Sequence, residues 1–248
     1  MQNQVAAIVL AAGKGARMKS TTTNKVALTL AERPIIAYTI DNLQQAGIST
    51  IITVVGFAQD SVREALGDRG IFVTQRWQKG TGDAVKVGLS AVPGDVTDVV
   101  SVYGDDSAFY PPEVIRQLIA THQAKNADIT LLTVKKNNPA GLGRIIRDKT
   151  GSITAIVEEK NAVPTQKLIT EINTGLYCFK RTFLDTYIHQ IQKNPVSGEY
   201  YLTDLIEIAK SAGAKVEAVL CDDNSVWQGI NDPSELDSAR LRMAKHTK

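Results

Sequence analysis

The stretch Val5-Ala-Ala-Ile-Val-Leu10-Ala-Ala-Gly13-Lys-Gly15 decides the fold class. Its first six residues form a short, continuous apolar run, and glycines follow soon after it. Such a run is typical of a strand that is buried on both faces within a parallel sheet. We therefore predict a central strand over 5–10, with a tight loop directly after it.

Outward from this strand, further apolar runs alternate with segments whose apolar residues have helical spacing. The predicted strands are 50–55, 71–74, 98–102, 129–134, 143–147, 152–158, 175–179 and 215–220. The predicted helices are 35–45, 61–66, 83–89, 113–125, 182–192, 202–211 and 233–243. Strands that alternate with helices indicate βαβ units. We predict an α/β, Rossmann-like fold whose mixed, mainly parallel sheet has helices on both faces.

The overall charge and hydrophobicity exclude several classes of protein. Lys and Arg total 28 against 26 Asp and Glu, so the net charge of +2 argues against a general nucleic-acid binder. The longest apolar run, 5–12, is too short to span a membrane, and no cleavable signal is evident. We expect a cytoplasmic protein with no nucleic-acid or membrane partner.

The loop after the first strand combines glycines with positive charge. Glycines at the carboxyl end of a strand let the backbone present N–H groups to an anion, and open α/β sheets bind ligands at that end. The loop is not a P-loop, which needs G-x-x-x-x-G-K-[ST], nor a dinucleotide fingerprint, which needs a third glycine where Met18 stands. The nearby cations are Lys14, Arg17, Lys19 and Lys25. A polyphosphate site and an ordinary basic surface turn both remain open on this loop alone.

Seven separated segments of the chain resemble the sugar-phosphate nucleotidylyltransferases. The segments are Leu10-Ala-Ala-Gly-Lys-Gly-Ala-Arg-Met18 with Lys25-Val26, Gln75 with Gly80-Thr-Gly82, Tyr103-Gly-Asp105, Gly143-Arg-Ile145, Val157-Glu-Glu-Lys160, Glu171-Ile-Asn-Thr-Gly175 and Gly198-Glu-Tyr-Tyr-Leu-Thr-Asp204. More narrowly, they are similar to the uridylyltransferase domain of the bacterial bifunctional N-acetylglucosamine-1-phosphate uridylyltransferase. The resemblance runs from about residue 5 to the 230s.

This resemblance implies a reaction, a cofactor and a set of site residues. The reaction would transfer a uridylyl group from UTP to N-acetylglucosamine 1-phosphate, or to a related sugar 1-phosphate, with Mg²⁺ as cofactor. Arg17 and Lys25 would be catalytic, and Asp105 and Asn231 would hold the metal. The implied nucleotide contacts are Leu10, Ala11, Ala12, Gly13, Gly15, Gln75, Gly80 and Thr81. The implied sugar contacts are Tyr103, Gly143, Glu158, Asn173 and, through its backbone, Thr174.

The chain carries no linker rich in Pro, Gly or Ser between its two halves. We expect one nucleotidylyltransferase domain over 1–248, with about 1–135 binding the nucleotide. The rest, about 136–248, would bind the sugar and end in a helix. The hexapeptide repeats of the bifunctional enzyme's acetyltransferase domain are not found here, so we expect that second activity to be absent. The oligomeric state is open, a homo-oligomer included.

Several of these residues also have plain structural interpretations. Asp105 would cap a turn, and Asn231 would cap the helix that starts near Pro233. Thr81 would cap the helix after Gly80. The charged pair Glu159-Lys160 is typical of a solvated turn, and at least one of Tyr200 and Tyr201 is expected in the core.

Four residues depart from the family pattern. The family usually has Thr at Ala16, Pro at Asn24, His at Asp83 and Tyr at Leu142. These departures keep two alternatives open. One is the same reaction with another sugar or another nucleotide, and the other is a non-catalytic sensor of sugar nucleotides.

Overall fold

The computed structural model describes residues 4–18 and 20–246, without the side chains of Ser107, Lys245 and His246. The strands are β1 (Val5–Ala11), β2 (Thr29–Leu30), β3 (Arg33–Pro34), β4 (Thr50–Val55), β5 (Ile71–Thr74), β6 (Asp98–Tyr103), β7 (Ile129–Lys135), β8 (Arg144–Arg147), β9 (Ile153–Val157), β10 (Glu171–Lys180) and β11 (Val216–Cys221). The α-helices are α1 (Ile35–Gln45), α2 (Gln59–Leu66), α3 (Thr81–Leu89), α4 (Pro112–Lys125), α5 (Pro164–Lys167), α6 (Arg181–Tyr187), α7 (Leu205–Ser211) and α8 (Pro233–His246). Short 3-10 turns lie at Ala16–Met18, Lys25–Ala27, Ser107–Phe109, Glu159–Asn161, Ile188–Gln190, Leu202–Asp204 and Asn224–Val226.

One large sheet runs through the molecule in the strand order β11-β7-β10-β6-β1-β4-β5. β1 pairs in parallel with β4 and β6, β4 pairs in parallel with β5, and β7 pairs in parallel with β11. β10 lies antiparallel between β6 and β7. β8 pairs with β10 and forms an antiparallel hairpin with β9, and β2 and β3 form a small separate ribbon. The predicted mixed, mainly parallel sheet is confirmed.

Helices cover both faces of the sheet because the strands are apolar on both sides. In β1 the side chains of Ala7 and Val9 join one core and that of Ile8 joins the other, and all three are fully buried. The first core includes side chains of α1, α2 and α4, and the second includes those of α3, α6 and α7. None of the helices in the described residues is long and apolar enough to cross a membrane.

The predicted helix over 182–192 is shorter in the structure. α6 ends at Tyr187, and the 3-10 turn Ile188–Gln190 replaces its last part. A 3-10 helix brings residues three apart onto one side. The buried side chains of Ile188 and Ile191 satisfy this spacing and join the same core.

The predicted strand over 175–179 is the second half of the longer strand β10. The pairing of β10 with β7 changes register between Asn173 and Tyr177. Gly175 lies within this bulge with φ of +80°, in the left-handed region that glycine tolerates. The polar residues of the bulge conceal the first part of the strand from a search for apolar runs.

A third, smaller core joins the C-terminal helix to an early part of the chain. It packs Leu30 of β2 and Ile35 of α1 against Ile230 and against Leu236 and Ala239 of α8. All five side chains are buried. This core holds the segment around residue 231 against the segment that follows residue 25.

Candidate active site

A cavity of about 430 Å³ lies at the carboxyl ends of β1, β5 and β6. This is the edge at which open α/β sheets bind ligands. All eight predicted nucleotide contacts line the cavity: Leu10, Ala11, Ala12, Gly13, Gly15, Gln75, Gly80 and Thr81. Lys25, Tyr103 and Asp105 also line it. Glu199 and Tyr201, which the sequence analysis placed only in a shared motif, complete part of the wall.

Asn24 ties the glycine loop to its surroundings. Its side chain is almost fully buried, and Nδ2 donates to the carbonyl oxygens of Ala11 at 3.0 Å, Gly13 at 3.2 Å and Phe57 at 2.8 Å. Its Oδ1 accepts from the backbone N of Val26 at 3.1 Å. Asn24, where the family usually has proline, therefore fixes the backbone beside Lys25 through these side-chain hydrogen bonds. Proline cannot do this because it has no side-chain amide.

Lys25 lies between the two predicted metal ligands. Its ammonium forms an ion pair with Asp105 and donates to Oδ1 of Asn231 at 3.2 Å. Burial lowers the pKa of Lys25, but the carboxylates of Asp105 and Asp106 outweigh this effect and raise it above its ordinary value. Lys25 is therefore a permanent cation at neutral pH, held by oxygen atoms from two distant parts of the chain.

The helix-cap interpretation of Asn231 is wrong. The side chain that accepts from the first turn of α8 is Asp232, whose Oδ1 binds the backbone N of Glu235 at 2.9 Å. The Oδ1 of Asn231 faces Lys25 instead. The backbone N of Asn231 donates to Glu235 at 2.5 Å, which holds this residue at the start of the helix.

Asp106 is a partly buried residue beside Asp105 for which the sequence predicts no role. Burial, and then the charge of Asp105, raise its pKa well above the ordinary value. Its Oδ1 is buried without a hydrogen-bond partner among the described residues. The side chain also accepts a hydrogen bond from the backbone of Ile230. Asp106 thus links the end of β6 to the segment that carries Asn231.

Two of the four predicted cations near the glycine loop are exposed to solvent. Lys14 and Arg17 are exposed, and Arg17 lies in the 3-10 turn Ala16–Met18. The positive charge of Arg17 lowers the pKa of Lys25, so the two side chains lie within electrostatic range. Arg17 has no ion pair with another described residue, which leaves its guanidinium available to an anion. Lys19, the fourth predicted cation, lies outside the described residues.

The segment around Gly80 is fastened to the second half of the chain. The backbone N of Gly82 donates to the Tyr200 carbonyl oxygen at 2.9 Å. The backbone N of Leu202 donates to the Thr81 hydroxyl oxygen, also at 2.9 Å. Gly80 has φ of +105°, and a Cβ there would lie 2.5 Å from the Tyr200 carbonyl oxygen. The prediction that Thr81 caps α3 is wrong, because Gly80 is the cap residue and the Thr81 hydroxyl binds elsewhere.

Three of the predicted sugar contacts lie together. The backbone N of Asn173 donates to the Gly143 carbonyl at 2.9 Å. A Cβ on Gly143 would lie 3.5 Å from the Asn173 Cβ and 3.6 Å from Glu158 Oε1. Burial is the main cause that raises the pKa of Glu158. The side chains of Asn173 and Glu158 therefore both lie beside Gly143, and the Asn173 Oδ1 accepts from the backbone N of Gly175 at 3.1 Å.

Tyr103 connects this group to the cavity. Its ring packs on the backbone of Gly175, where a Cβ would lie 2.3 Å from the ring, and its hydroxyl bonds with Thr81. Burial and then the negative charge of Glu158 raise its pKa. Thr174 lies deeper, with its carbonyl accepting from Tyr110 and Trp227. Its predicted backbone contact with a sugar stays a prediction.

Glu159 lies in the partly exposed turn Glu159–Asn161, as predicted, but its carboxylate has a buried partner that the sequence did not predict. Its carboxylate forms an ion pair at 2.5 Å with Arg144, whose side chain is almost fully buried. Arg144 also donates to the carbonyl oxygen of Leu142. The pair holds the loop before β8 against the turn after β9. Lys160 lies over the ring of Tyr201 at 5.0 Å, and Tyr201 is buried, as expected for at least one of the two tyrosines.

The family model for nucleotidyl transferases matches residues 6–245. The chain belongs to the nucleotidyl transferase family. The match spans both the cavity and the group of residues around Glu158, so the observed site belongs to the part of the chain that defines the family.

Curated bacterial relatives agree with this family assignment. The chain is 41% identical over 233 residues to the bifunctional protein GlmU of Heliobacterium modesticaldum, covering 94% of this chain and 50% of that protein. It is 39% identical over 239 residues to GlmU of a Geobacillus species, covering 96% of this chain and 51% of that protein. It is 38% identical over 243 residues to GlmU of Enterococcus faecalis, covering 98% and 52%. The chain thus spans about half the length of these relatives.

Proposed function

We propose that this nucleotidyl transferase moves a uridylyl group from UTP to N-acetylglucosamine 1-phosphate, with release of pyrophosphate. The observation that carries the proposal is the position of Lys25, a partly buried cation beside a glycine loop at the carboxyl end of the parallel strands. The group formed by Gly143, Glu158 and Asn173 supports a polar acceptor such as a sugar. The GlmU relatives support the choice of acceptor.

The proposed chemistry is a direct in-line displacement. A phosphate oxygen of the sugar 1-phosphate attacks the α-phosphorus, and the bond from that phosphorus to the oxygen bridging to the β-phosphate breaks. The attacking oxygen is already ionised, so no general base is needed. Catalysis then rests on positioning and on neutralisation of charge. The two halves of the chain, about 1–135 and 136–248, would supply the nucleotide and sugar sites respectively.

Two basic side chains have separate roles in this proposal. The Arg17 guanidinium would bind the β- and γ-phosphates and the departing pyrophosphate, because its planar fork suits bidentate phosphate contact. The Lys25 ammonium would lie between the α-phosphate and the acceptor phosphate and reduce their mutual repulsion. To do so it exchanges its contact with Asp105 for contacts with phosphate oxygens.

The residues Asp105 and Asn231 fit a magnesium ion. Their carboxylate and amide oxygens converge on one cation, the Lys25 ammonium, and Mg²⁺ prefers hard oxygen ligands with water and phosphate as the remainder. When bound there, Mg²⁺ would polarise the α-phosphate. No group of three or more His, Cys, Asp or Glu side chains suited to a metal occurs in the described part of the chain.

A substrate panel tests the proposal. Purified protein is given UTP, CTP, ATP, GTP or dTTP with N-acetylglucosamine, glucose or galactose 1-phosphate, and pyrophosphate release is measured with Mg²⁺. We expect the highest kcat/KM with UTP and N-acetylglucosamine 1-phosphate. Activity with a different pair would support transfer to another sugar or from another nucleotide. Nucleotide binding without turnover for any pair would support the sensor alternative and reject the proposed reaction.

A further inference from the structure

We propose that Asp83 orients the amide of Gln75 so that the nucleotide site offers a hydrogen-bond acceptor and thereby selects uracil over cytosine. This inference rests on the proposed function, because it concerns the base of the nucleoside triphosphate in that site. It assigns a positioning role to Asp83, one of the residues that departs from the family pattern.

The orientation of the Gln75 amide follows from its partners. Gln75 comes directly after β5, its backbone N donates to Val55 O at 2.8 Å, and its side chain is almost fully buried. Its Nε2 donates to Asp83 Oδ2 at 2.8 Å and to the Gly80 carbonyl oxygen at 3.2 Å. A carboxylate and a carbonyl only accept hydrogen bonds. The amide nitrogen must therefore face these two oxygens, and the reversed amide would place three oxygen atoms together.

This orientation leaves Oε1 as the polar atom that Gln75 can offer to a ligand. No described residue donates a hydrogen bond to Oε1, and Gln75 lines the cavity beside Leu10 and Thr81. Gln75 is held at two points, by the hydrogen bond of its backbone N to Val55 and by those of its amide nitrogen. The cavity wall thus carries a fixed acceptor rather than an amide that can rotate to suit either kind of partner.

A fixed acceptor distinguishes the two common pyrimidines. The ring N3 of uracil carries a hydrogen and donates, whereas the ring N3 of cytosine is an acceptor. Uracil therefore pairs with Oε1, and cytosine leaves two acceptors facing each other in a poorly hydrated site. We expect UTP to bind at least about tenfold more tightly than CTP, which corresponds to about 1.4 kcal/mol.

Asp83 contributes more to this orientation than Gly80 does. The Gln75 Nε2 lies 2.8 Å from Asp83 Oδ2 but 3.2 Å from the Gly80 carbonyl oxygen. A hydrogen bond to a charged acceptor is also stronger than one to a neutral carbonyl. Asparagine at position 83 can donate as well as accept, so it permits the Gln75 amide to turn over. The preference for uracil then falls, while the shape of the side chain at position 83 is unchanged.

The experiment measures the Kd of UTP and of CTP by calorimetry, with Mg²⁺ and without a sugar phosphate, for the wild type and for Asp83→Asn, Gln75→Ala and the double variant. We expect Asp83→Asn to reduce the CTP-to-UTP ratio of Kd values at least fivefold. Gln75→Ala should abolish most of the preference. Adding Asp83→Asn to Gln75→Ala should change the ratio less than twofold, because Asp83 acts through Gln75.

Glu113→Gln is the matched control. Glu113 is an exposed acid in the first turn of α4, as Asp83 is an acid in the first turn of α3, so it reports the general loss of a charge at a helix start. We expect this variant to keep the wild-type ratio. A ratio of Kd values does not respond to a uniform loss of folded protein, so it separates orientation of the amide from stability.

Two results would overturn the inference while the proposed function stands: equal affinity of the wild type for UTP and CTP, or an unchanged ratio in Asp83→Asn with normal UTP binding. Failure of the wild type to bind any nucleoside triphosphate would instead reject the proposed function, and this inference with it. The same set of titrations therefore distinguishes failure of this inference from failure of the proposed function.

Discussion

Lys25 is the residue on which the site depends most directly. It is a partly buried cation whose pKa is raised by Asp105 and Asp106 against the opposing effect of burial. Its ammonium is held by one carboxylate and one neutral amide oxygen, and the oxygens of a bound triphosphate carry more negative charge than the amide of Asn231. Arg17 complements it from the exposed side of the loop.

The first prediction concerns these two cations. Lys25→Ala or Arg17→Ala should lower kcat by roughly 100-fold or more, about 2.7 kcal/mol at the barrier, because each variant removes charge that opposes the phosphates. Pyrophosphate release under saturating substrates measures the effect. Lys210→Ala, which removes an exposed cation of α7, is the control and should keep the wild-type rate. Near-normal turnover in both loop variants would disprove the mechanism.

The second prediction concerns Asn24. Asn24→Ala removes the donor to three backbone carbonyls, and we expect unfolding to become easier by about 2 kcal/mol and kcat to fall about tenfold as Lys25 loses its fixed position. Asn24→Asp should be at least as harmful, since a carboxylate would face the same carbonyl oxygens. Denaturant unfolding and steady-state kinetics measure the two effects. An Asn24→Asp variant that matched the wild type in stability and kcat would show that the Asn24 hydrogen bonds do not hold the loop in place.

The third prediction concerns pH and Asp204. Burial, and then Glu207, raise the pKa of Asp204 from 3.8 to about 6. The folded state therefore binds this proton more tightly than the unfolded state. Its stabilising contribution is present below about pH 4 and is lost as the pH rises through about 6.

Asp204→Asn should therefore raise Tm at pH 7.5 and have little effect at pH 4. If the whole pKa shift became free energy of unfolding, Asp204→Asn would gain about 3 kcal/mol at pH 7.5. Because Asp204 is partly exposed, we expect a gain of about 1 kcal/mol, which raises Tm by about 2–4 °C. Calorimetric scans across this pH range provide the test. Asp95→Asn, at an exposed loop residue, is the control. A Tm difference that did not vary with pH would contradict the assignment.

At the scale of elements, the pair between Arg144 and Glu159 holds two connecting segments together. Arg144 begins β8 and is almost fully buried, while Glu159 follows β9 and is about one-third exposed. The charge of Glu159 indicates a solvated residue, because charge alone does not reveal a buried partner such as Arg144. The side chains around Gly143 depend on this pairing for their position.

The fourth prediction tests this pair. Glu159→Gln leaves the Arg144 guanidinium buried without a charged partner, and we expect a lower urea midpoint of unfolding together with a higher KM for the sugar phosphate. Urea unfolding and kinetics give the two readouts. The control Glu64→Gln removes an exposed acid of α2 and should change neither. Equal stability of the two variants would show that the pair contributes nothing.

Most strands and helices were predicted from apolar periodicity to within two residues. The start of α7 and the end of α8 each differ by three residues, and the short elements β2, β3 and α5 were not predicted. Two further exceptions are elements whose form depends on neighbours. The 3-10 turn after α6 is set by packing of Ile188 and Ile191 into the core, and the first part of β10 contains a bulge at Gly175. The antiparallel direction of β10 has no signature in a single sequence, because a strand buried on both faces reads the same in either direction.

At the scale of the whole molecule, the site joins both ends of the chain. Lys25 and Asn231 are 206 positions apart, and the small core between β2 and α8 brings their segments together. A ligand that engages both residues therefore links the first and last parts of the fold. Binding should stabilise the entire molecule rather than one loop.

The fifth prediction follows from this arrangement. UTP with Mg²⁺ at about 100 times its Kd should add about 2.7 kcal/mol of stability, which is about 5–10 °C in Tm. EDTA should reduce the shift and abolish turnover, and excess Mg²⁺ should restore both. Asn231→Ala should give a smaller shift than the wild type. An unchanged shift in that variant would exclude Asn231 from the bound state.

The sequence by itself determined the fold class, the edge of the sheet at which the site lies and most of the cavity-lining residues. It could do so because continuous apolar runs and the glycines after them are local signals of burial and turning. Only the tertiary structure decided what Asn24, Asp83 and Glu159 do, and that Asn231 meets Lys25. Each of these roles is a contact between side chains and backbone groups that folding brings together from separate segments. Spacing along the chain does not encode such distances.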